Sequence, residues 1–216
     1  MKKLETLLNE KNKRLNKLIP KPIVRYMSRV TDMLTEAEYS KKALGVGDKL
    51  PDGTLVDHKG HPIKLSDVRG SRPLIISFYR GSWCPYCNLE LAFYDDLLKD
   101  TTNQNVKMIA ISPEKPDMSL KKLDIEKLHF TVLSDQNNHY AKVMNLVFQL
   151  PRKLVFYYRL LGVNLKKSQN NPNDQLPIPA TYIVNREGII SHAWLDVDYT
   201  KRAEPEEVIQ AYHSLL

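Results

Sequence analysis

The sequence predicts an α/β protein built on a mixed sheet, and three observations carry that expectation. From residue 73 onward, short apolar runs of strand length alternate with segments of helical spacing. The alternation closes on two successive strand-like runs, Thr181 to Val184 and Ile189 to Trp194, the pattern of a hairpin. Between them in character is Pro73-Leu74-Ile75-Ile76-Ser77-Phe78-Tyr79, a nearly continuous apolar run of the kind that forms a buried central strand.

The elements follow in order. Apolar residues from Leu4 to Val30 fall near helical spacing, and Pro20 and Pro22 divide that stretch into two helices. At Gly45-Val46-Gly47-Asp48 the pattern changes, which sets the expected boundary between an N-terminal extension (1–44) and the main domain (45–216). Thr54 to Asp57 and Ile63 to Leu65 flank the Lys59-Gly60 turn as a hairpin. After the central strand, Leu89, Ala92, Phe93, Leu97 and Leu98 give the segment from Pro85 to Lys99 a helical period, with Pro85 suited to its first turn.

Next come a strand over Val106 to Ile111, a helix over Met118 to Leu128, a strand over Phe130 to Leu133 and a helix over His139 to Leu146. An insertion at about 149–176 holds a helix from Leu154 to Leu161 and a polar loop from Ser168 to Gln175. The closing hairpin leads to a final helix from Glu206 to Leu215.

Composition narrows the function classes. A chain of 216 residues with 42% hydrophobic residues can bury a full core. The formal charge of +7 is local: residues 1–30 hold nine Lys and Arg against Glu5 and Glu10, leaving 23 basic and 23 acidic residues elsewhere. The main domain is near neutral and carries no nucleic-acid signature. The basic extension reads first as a helix pair packed on the body or a partner subunit, and second as an anionic-surface contact. No run is long and apolar enough for a membrane span and Met1 to Pro20 lacks a signal-peptide core, so a cytoplasmic protein is expected.

Two cysteines cannot make a disulfide scaffold, but Cys84 and Cys87 form a unit two residues apart. A thiolate at a helix N-terminus is stabilised by unpaired backbone N–H groups and the positive dipole end, so Cys84 is the expected nucleophile. Cys87 sits one turn deeper, the position of a resolving cysteine, and an external thiol must then reopen the pair. That cycle needs no metal and no organic cofactor. The alternatives are two inert buried cysteines, or half a zinc site completed by His58 and His61, although no second cysteine pair exists. Neither accounts for a strand, Cys-Pro and a helix in succession.

The run from Phe78 to Leu91, which contains Arg80-Gly81-Ser82-Trp83-Cys84-Pro85-Tyr86-Cys87, resembles the active-site segment of peroxiredoxin-like redoxins of the alkyl hydroperoxide reductase/thiol-specific antioxidant (AhpC/TSA) family. The resemblance continues through Leu176 to Gly188 and Asp198 to Glu207. It implies a thioredoxin-like fold, with Cys84 as the attacking cysteine and Cys87 as its partner, and an antioxidant thiol peroxidase acting in cell redox homeostasis. Pro179 is similar to the cis-proline that faces the cysteines in that superfamily. Three positions depart from the pattern: Ser77 and Gly81 stand where such enzymes place Pro and Thr or Ser, and Pro179 lies near the place of a thiolate-activating Arg. Arg80 and Ser82 are the candidate substitutes, with Arg202 a weaker one.

Trp83 before the first cysteine resembles thioredoxins, and Cys84-Pro85-Tyr86-Cys87 resembles glutaredoxins, so a thiol-disulfide oxidoreductase is the alternative. A redox-sensing module that binds anionic surfaces through its arm is the third reading. The expected partners are a peroxide or disulfide substrate and a donor of thioredoxin, glutaredoxin or low-molecular-weight-thiol type. Exposed edges and the helical arm are compatible with a homodimer.

Overall fold

The computed structural model describes residues 2–116, 127–169 and 173–216. Two helices open the chain, α1 (Leu4–Leu18) and α2 (Lys21–Glu36), broken at Pro20 as expected, and a short α3 (Tyr39–Lys42) follows. Strands β1 (Thr54–Val56) and β2 (Pro62–Lys64) pair antiparallel, and Leu65 then starts α4 (Leu65–Arg69), so the second strand stops one residue early. Strand β3 (Leu74–Phe78) leads to α5 (Pro85–Leu98), β4 (Met108–Ser112) and β5 (Thr131–Ser134). The helix expected over Met118 to Leu128 falls almost wholly outside the described residues.

Helix α6 (His139–Val143) is followed by β6 (Val147–Gln149), α7 (Arg152–Leu160), α8 (Leu165–Gln169) and β7 (Gln175–Pro177). The hairpin β8 (Ala180–Val184) and β9 (Ile190–Leu195) precedes α9 (Pro205–His213). The main sheet runs β2-β1-β5-β4-β3-β8-β9. Strand β3 pairs parallel with β4 and antiparallel with β8, which makes the sheet mixed.

Every residue of β3 is buried, and period two sends its side chains to opposite cores. Leu74, Ile76 and Phe78 join the core that includes Ile111, Phe148 and Leu154, while Ile75 and Tyr79 join the one holding Leu91, Ile183 and Tyr212. Both cysteines lie in the second core.

The insertion departs from the expected polar loop. Its ends are clasped by a small antiparallel sheet, β6 with β7, and Ser168 and Gln169 belong to α8 and are buried. Leu165 anchors that turn in the core, and the Gln169 Nε2 donates to the Arg80 carbonyl at 3.4 Å.

The N-terminal helices pack on the body. Leu4 and Leu8 enter one core and Val30 the other, and each such side chain contributes about 1.5–3 kcal/mol on burial. The first turn of α1 has no capping side chain of its own. Glu204 supplies one from the far end of the chain, accepting from the N–H groups of Leu4 at 3.0 Å and Glu5 at 2.7 Å. The basic residues of this arm mostly face solvent. Among the described residues no helix is long and apolar enough to cross a membrane.

Candidate functional site

Strand β3 delivers the chain to a tight loop, and that loop fixes where α5 begins. Gly81 adopts φ +141°, and a Cβ there would fall 2.5 Å from the Trp83 Nε1 and 2.9 Å from the Glu114 Cδ. Only glycine fits without a shift. The Glu114 carboxylate grips the next residue, accepting from the Ser82 N–H at 2.7 Å and from the Ser82 hydroxyl at 3.2 Å. The Asn88 side chain ties back to the Ser82 carbonyl at 2.7 Å.

These bonds set Cys84 as the N-cap of α5, with Pro85 in the first turn as expected. Its own N–H donates to the Gly81 carbonyl at 3.0 Å, and the backbone N–H of Cys87 in the first turn favours the charged form of its sulfur. Cys84 is 2% exposed and Cys87 is fully buried, both as free thiols.

Two guanidinium groups surround the pair. Arg202 donates through Nη2 to the Cys87 sulfur at 3.2 Å, through Nε to Glu90 at 2.6 Å and through Nη1 to the Tyr199 carbonyl at 2.6 Å. Arg80 bonds the Tyr158 hydroxyl at 2.6 Å and lies against the rings of Tyr199, Trp83 and Tyr158 at 4.8, 5.5 and 5.7 Å. Burial works against a thiolate at Cys84, but the Cys87 thiol as a donor and the charges of Arg80 and Arg202 outweigh it and hold Cys84 at about 6. Burial and the nearby Cys84 sulfur push Cys87 well above the ordinary thiol range. The pair is thus split into an attacking thiolate and a protonated partner.

Two carboxyls beside the pair are displaced upward, each chiefly by burial. Glu90 rises to about 7 despite its ion pair with Arg202, and Glu114 rises to about 7 despite its bonds to Ser82.

Cys84 lines a cleft of about 440 Å³, which Leu15 of α1, Ile19 of the following turn and Val24 and Met27 of α2 also line. Trp83, Pro85 and Tyr86 line it together with Arg80. The Tyr86 hydroxyl donates to Asn12 of α1 at 2.9 Å, and burial raises that phenol to about 12. Trp83 packs against Tyr158 of the insertion, with ring centres 5.5 Å apart.

Of the residues expected at the site, Cys84, Cys87, Arg80, Trp83, Pro85 and Tyr86 come together. Ser82 is adjacent, but its hydroxyl is turned to Glu114. Pro179 is corrected on two points. No cis peptide bond occurs among the described residues, so Ile178–Pro179 takes the trans form that X–Pro bonds favour by about 0.5–1 kcal/mol. It does not line the cleft that Cys84 lines; it lines a small adjoining pocket with Arg80, Tyr158 and Tyr199, and another with Arg202.

Arg202, the weaker candidate, is the side chain that reaches a cysteine sulfur. Glu90, Glu114, Tyr158 and Tyr199 were not among the residues expected at the site, and the two extension helices were expected to pack on the body but not to line the cysteine cleft. Arg202 lay within a segment of family resemblance, which was the available signal. Among the described residues no group of three or more His, Cys, Asp or Glu side chains is placed to hold a metal ion, so the zinc alternative gains no ligand set.

A thioredoxin-like fold carrying a Cys-X-X-Cys pair at the start of a helix defines a thiol-redox class of protein. The profile of the AhpC/TSA family matches residues 46–193, and the chain belongs to that family. It is 31% identical over 117 residues to the thiol-disulfide oxidoreductase ResA of Geobacillus kaustophilus, covering 54% of this chain and 64% of ResA. It is 30% identical over 95 residues to the peroxiredoxin Bcp of Escherichia coli, covering 44% of this chain and 60% of Bcp. The matches therefore span less than two thirds of either relative. In fold the chain is similar to the peroxidoxin BcpB of Mycobacterium tuberculosis, with a TM-score of 0.60 at 16% identity, over 80% of this chain and 99% of that one. The extension lies outside the family profile.

Proposed function

We propose that the chain is a thiol-dependent peroxidase that works through Cys84 and Cys87. The observation that carries this reading is the position of Cys84: a thiol held at about 6 by two nearby guanidinium groups, lining a cleft of about 440 Å³. At neutral pH the sulfur attacks the terminal oxygen of a hydroperoxide, the O–O bond breaks, and Cys84 becomes a sulfenic acid as an alcohol or water leaves. Cys87 then attacks the Cys84 sulfur, forming a disulfide and releasing water. Arg80 and Arg202 meet the negative charge that develops on the oxygens, in place of the arginine expected near Pro179. An external thiol resets the pair. A cytoplasmic setting, where such thiols are kept reduced, belongs to the same proposal.

A second reading, thiol-disulfide exchange on other molecules, is favoured by the Trp83-Cys84-Pro85-Tyr86-Cys87 sequence and the ResA relative. The two part in stopped-flow oxidation by hydrogen peroxide, followed by Trp83 and Trp194 fluorescence. A peroxidase oxidises far faster than a free thiol of the same pKa, and only Cys84→Ser abolishes the phase. Oxidation at the free-thiol rate rejects the peroxidase and moves the assignment to disulfide exchange.

A further inference from the structure

The N-terminal extension is not part of the family profile, yet it covers the reactive sulfur. Beyond the burial of Leu4, Leu8 and Val30, polar contacts hold it there: Glu204 caps α1, Asn12 receives the Tyr86 hydroxyl at 2.9 Å, and the Tyr199 hydroxyl meets the Met27 sulfur at 3.8 Å. Tyr86, next to Cys84 in the helix start, is left 5% exposed. A folded protein donor has to press its own cysteine loop against this helix start, and even weak redox encounters cover several hundred Å². Here that surface lies under α1 and α2. What remains open is a cleft of about 440 Å³, within the size range of small-molecule sites.

We infer that the reductant that reopens the Cys84–Cys87 disulfide is a low-molecular-weight thiol admitted through this cleft, and that α1 and α2 exclude protein dithiols. The inference rests on the redox cycle of the cysteine pair proposed above. Cys84 lines the cleft and Cys87 does not, so the incoming thiolate attacks the Cys84 sulfur. The S–S bond breaks, and Cys87 leaves beside the Arg202 guanidinium and takes up a proton. A second small thiolate attacks the bound one, forms the oxidised donor disulfide and releases Cys84. Two donor thiols lose two electrons and two protons; the cysteine pair gains both.

The test oxidises the full chain with diamide, so that no peroxide chemistry is involved, and follows the return of free thiols. Reduced glutathione and reduced thioredoxin are compared at equal thiol concentration, with insulin as an open disulfide control. The expected result is that the advantage of thioredoxin over glutathione, measured on insulin, shrinks at least tenfold on this protein. Thr31→Trp, which fills the cleft, slows glutathione at least tenfold. Leu8→Ala and, independently, Glu204→Ala loosen α1; in whichever keeps the native circular dichroism, the thioredoxin rate rises at least tenfold while the glutathione rate stays within threefold. Full thioredoxin advantage on the unaltered chain, or no gain on loosening α1, overturns the inference. Failure of diamide to link Cys84 to Cys87 overturns the redox cycle itself, and slow oxidation by peroxide rejects only the peroxidase.

Discussion

The Arg202 guanidinium lies 3.2 Å from the Cys87 sulfur, and the same group is bonded to Glu90 at 2.6 Å. Both partners of that ion pair are almost fully buried, with side-chain exposures of 3% and 1%. Cutting one side of a buried pair leaves an uncompensated charge, which costs about 3–5 kcal/mol. Arg202→Met is therefore expected to lower urea stability by about that amount. The double variant Arg202→Met/Glu90→Leu recovers most of it, while the reactivity of the cysteine pair stays impaired. Equal loss in the single and double variants contradicts the pairing.

Alkylation of Cys84 by iodoacetamide reports its thiolate fraction. The rate is expected to rise with pH through a midpoint of about 6, well below an ordinary thiol. Arg80→Gln removes one of the two charges and moves the midpoint up. A wild-type midpoint near 8.5, the ordinary thiol value, rules out the electrostatic account.

Glu114 gives a stability signature of opposite sign. Its folded pKa is raised to about 7, so between the unfolded carboxyl value and pH 7 the folded state holds more protons than the unfolded one. Stability from this group is thus full below pH of about 4.5 and declines as pH rises to about 7. Urea unfolding of the protein and of Glu114→Gln, compared across that window, should show the wild type losing on the order of 1–3 kcal/mol more. Parallel profiles would show that Glu114 titrates normally.

Gly81→Ala tests the loop that presents Cys84. The substitution combines a left-handed φ with contacts of 2.5 and 2.9 Å, and strain of this kind costs on the order of 1–3 kcal/mol. Thermal unfolding should show that loss, and the alkylation midpoint of Cys84 should rise as the helix start is displaced. A variant as stable and reactive as the wild type removes any role for this glycine.

The cysteine pair, the strand before it and the helix after it were legible because their signals are local. Apolar β3, Pro85 in a first turn and the period of α5 are all contained in about 25 consecutive residues. The two extension helices were legible from Pro20 and spacing in the same way. The electrostatic half of the site was not. Arg202 meets Cys87 across 115 residues, and Glu204 caps α1 across 199 or 200, so no period or spacing marks either contact. The trans bond at Pro179 was hidden for another reason: a resemblance transfers residue identity but not the state of a peptide bond. The β6–β7 clasp is too short, at three residues a strand, to rise above loop patterning.

That clasp bears on how the insertion and the extension depend on each other. Strands β6 and β7 bring Gln149 and Gln175 face to face, and the segment between them sends Leu154 and Leu165 into the core under the main sheet. Tyr26 of α2 rests edge-on against Tyr157 at 5.6 Å, beneath the Lys153 ammonium at 4.9 Å, and Arg80 takes its hydroxyl partner from Tyr158. Loss of the segment would strip α2 of a neighbour and leave a buried cation unsatisfied. The extension, outside the family profile, and the insertion, within it, thus hold one another in place across the face that carries Arg80.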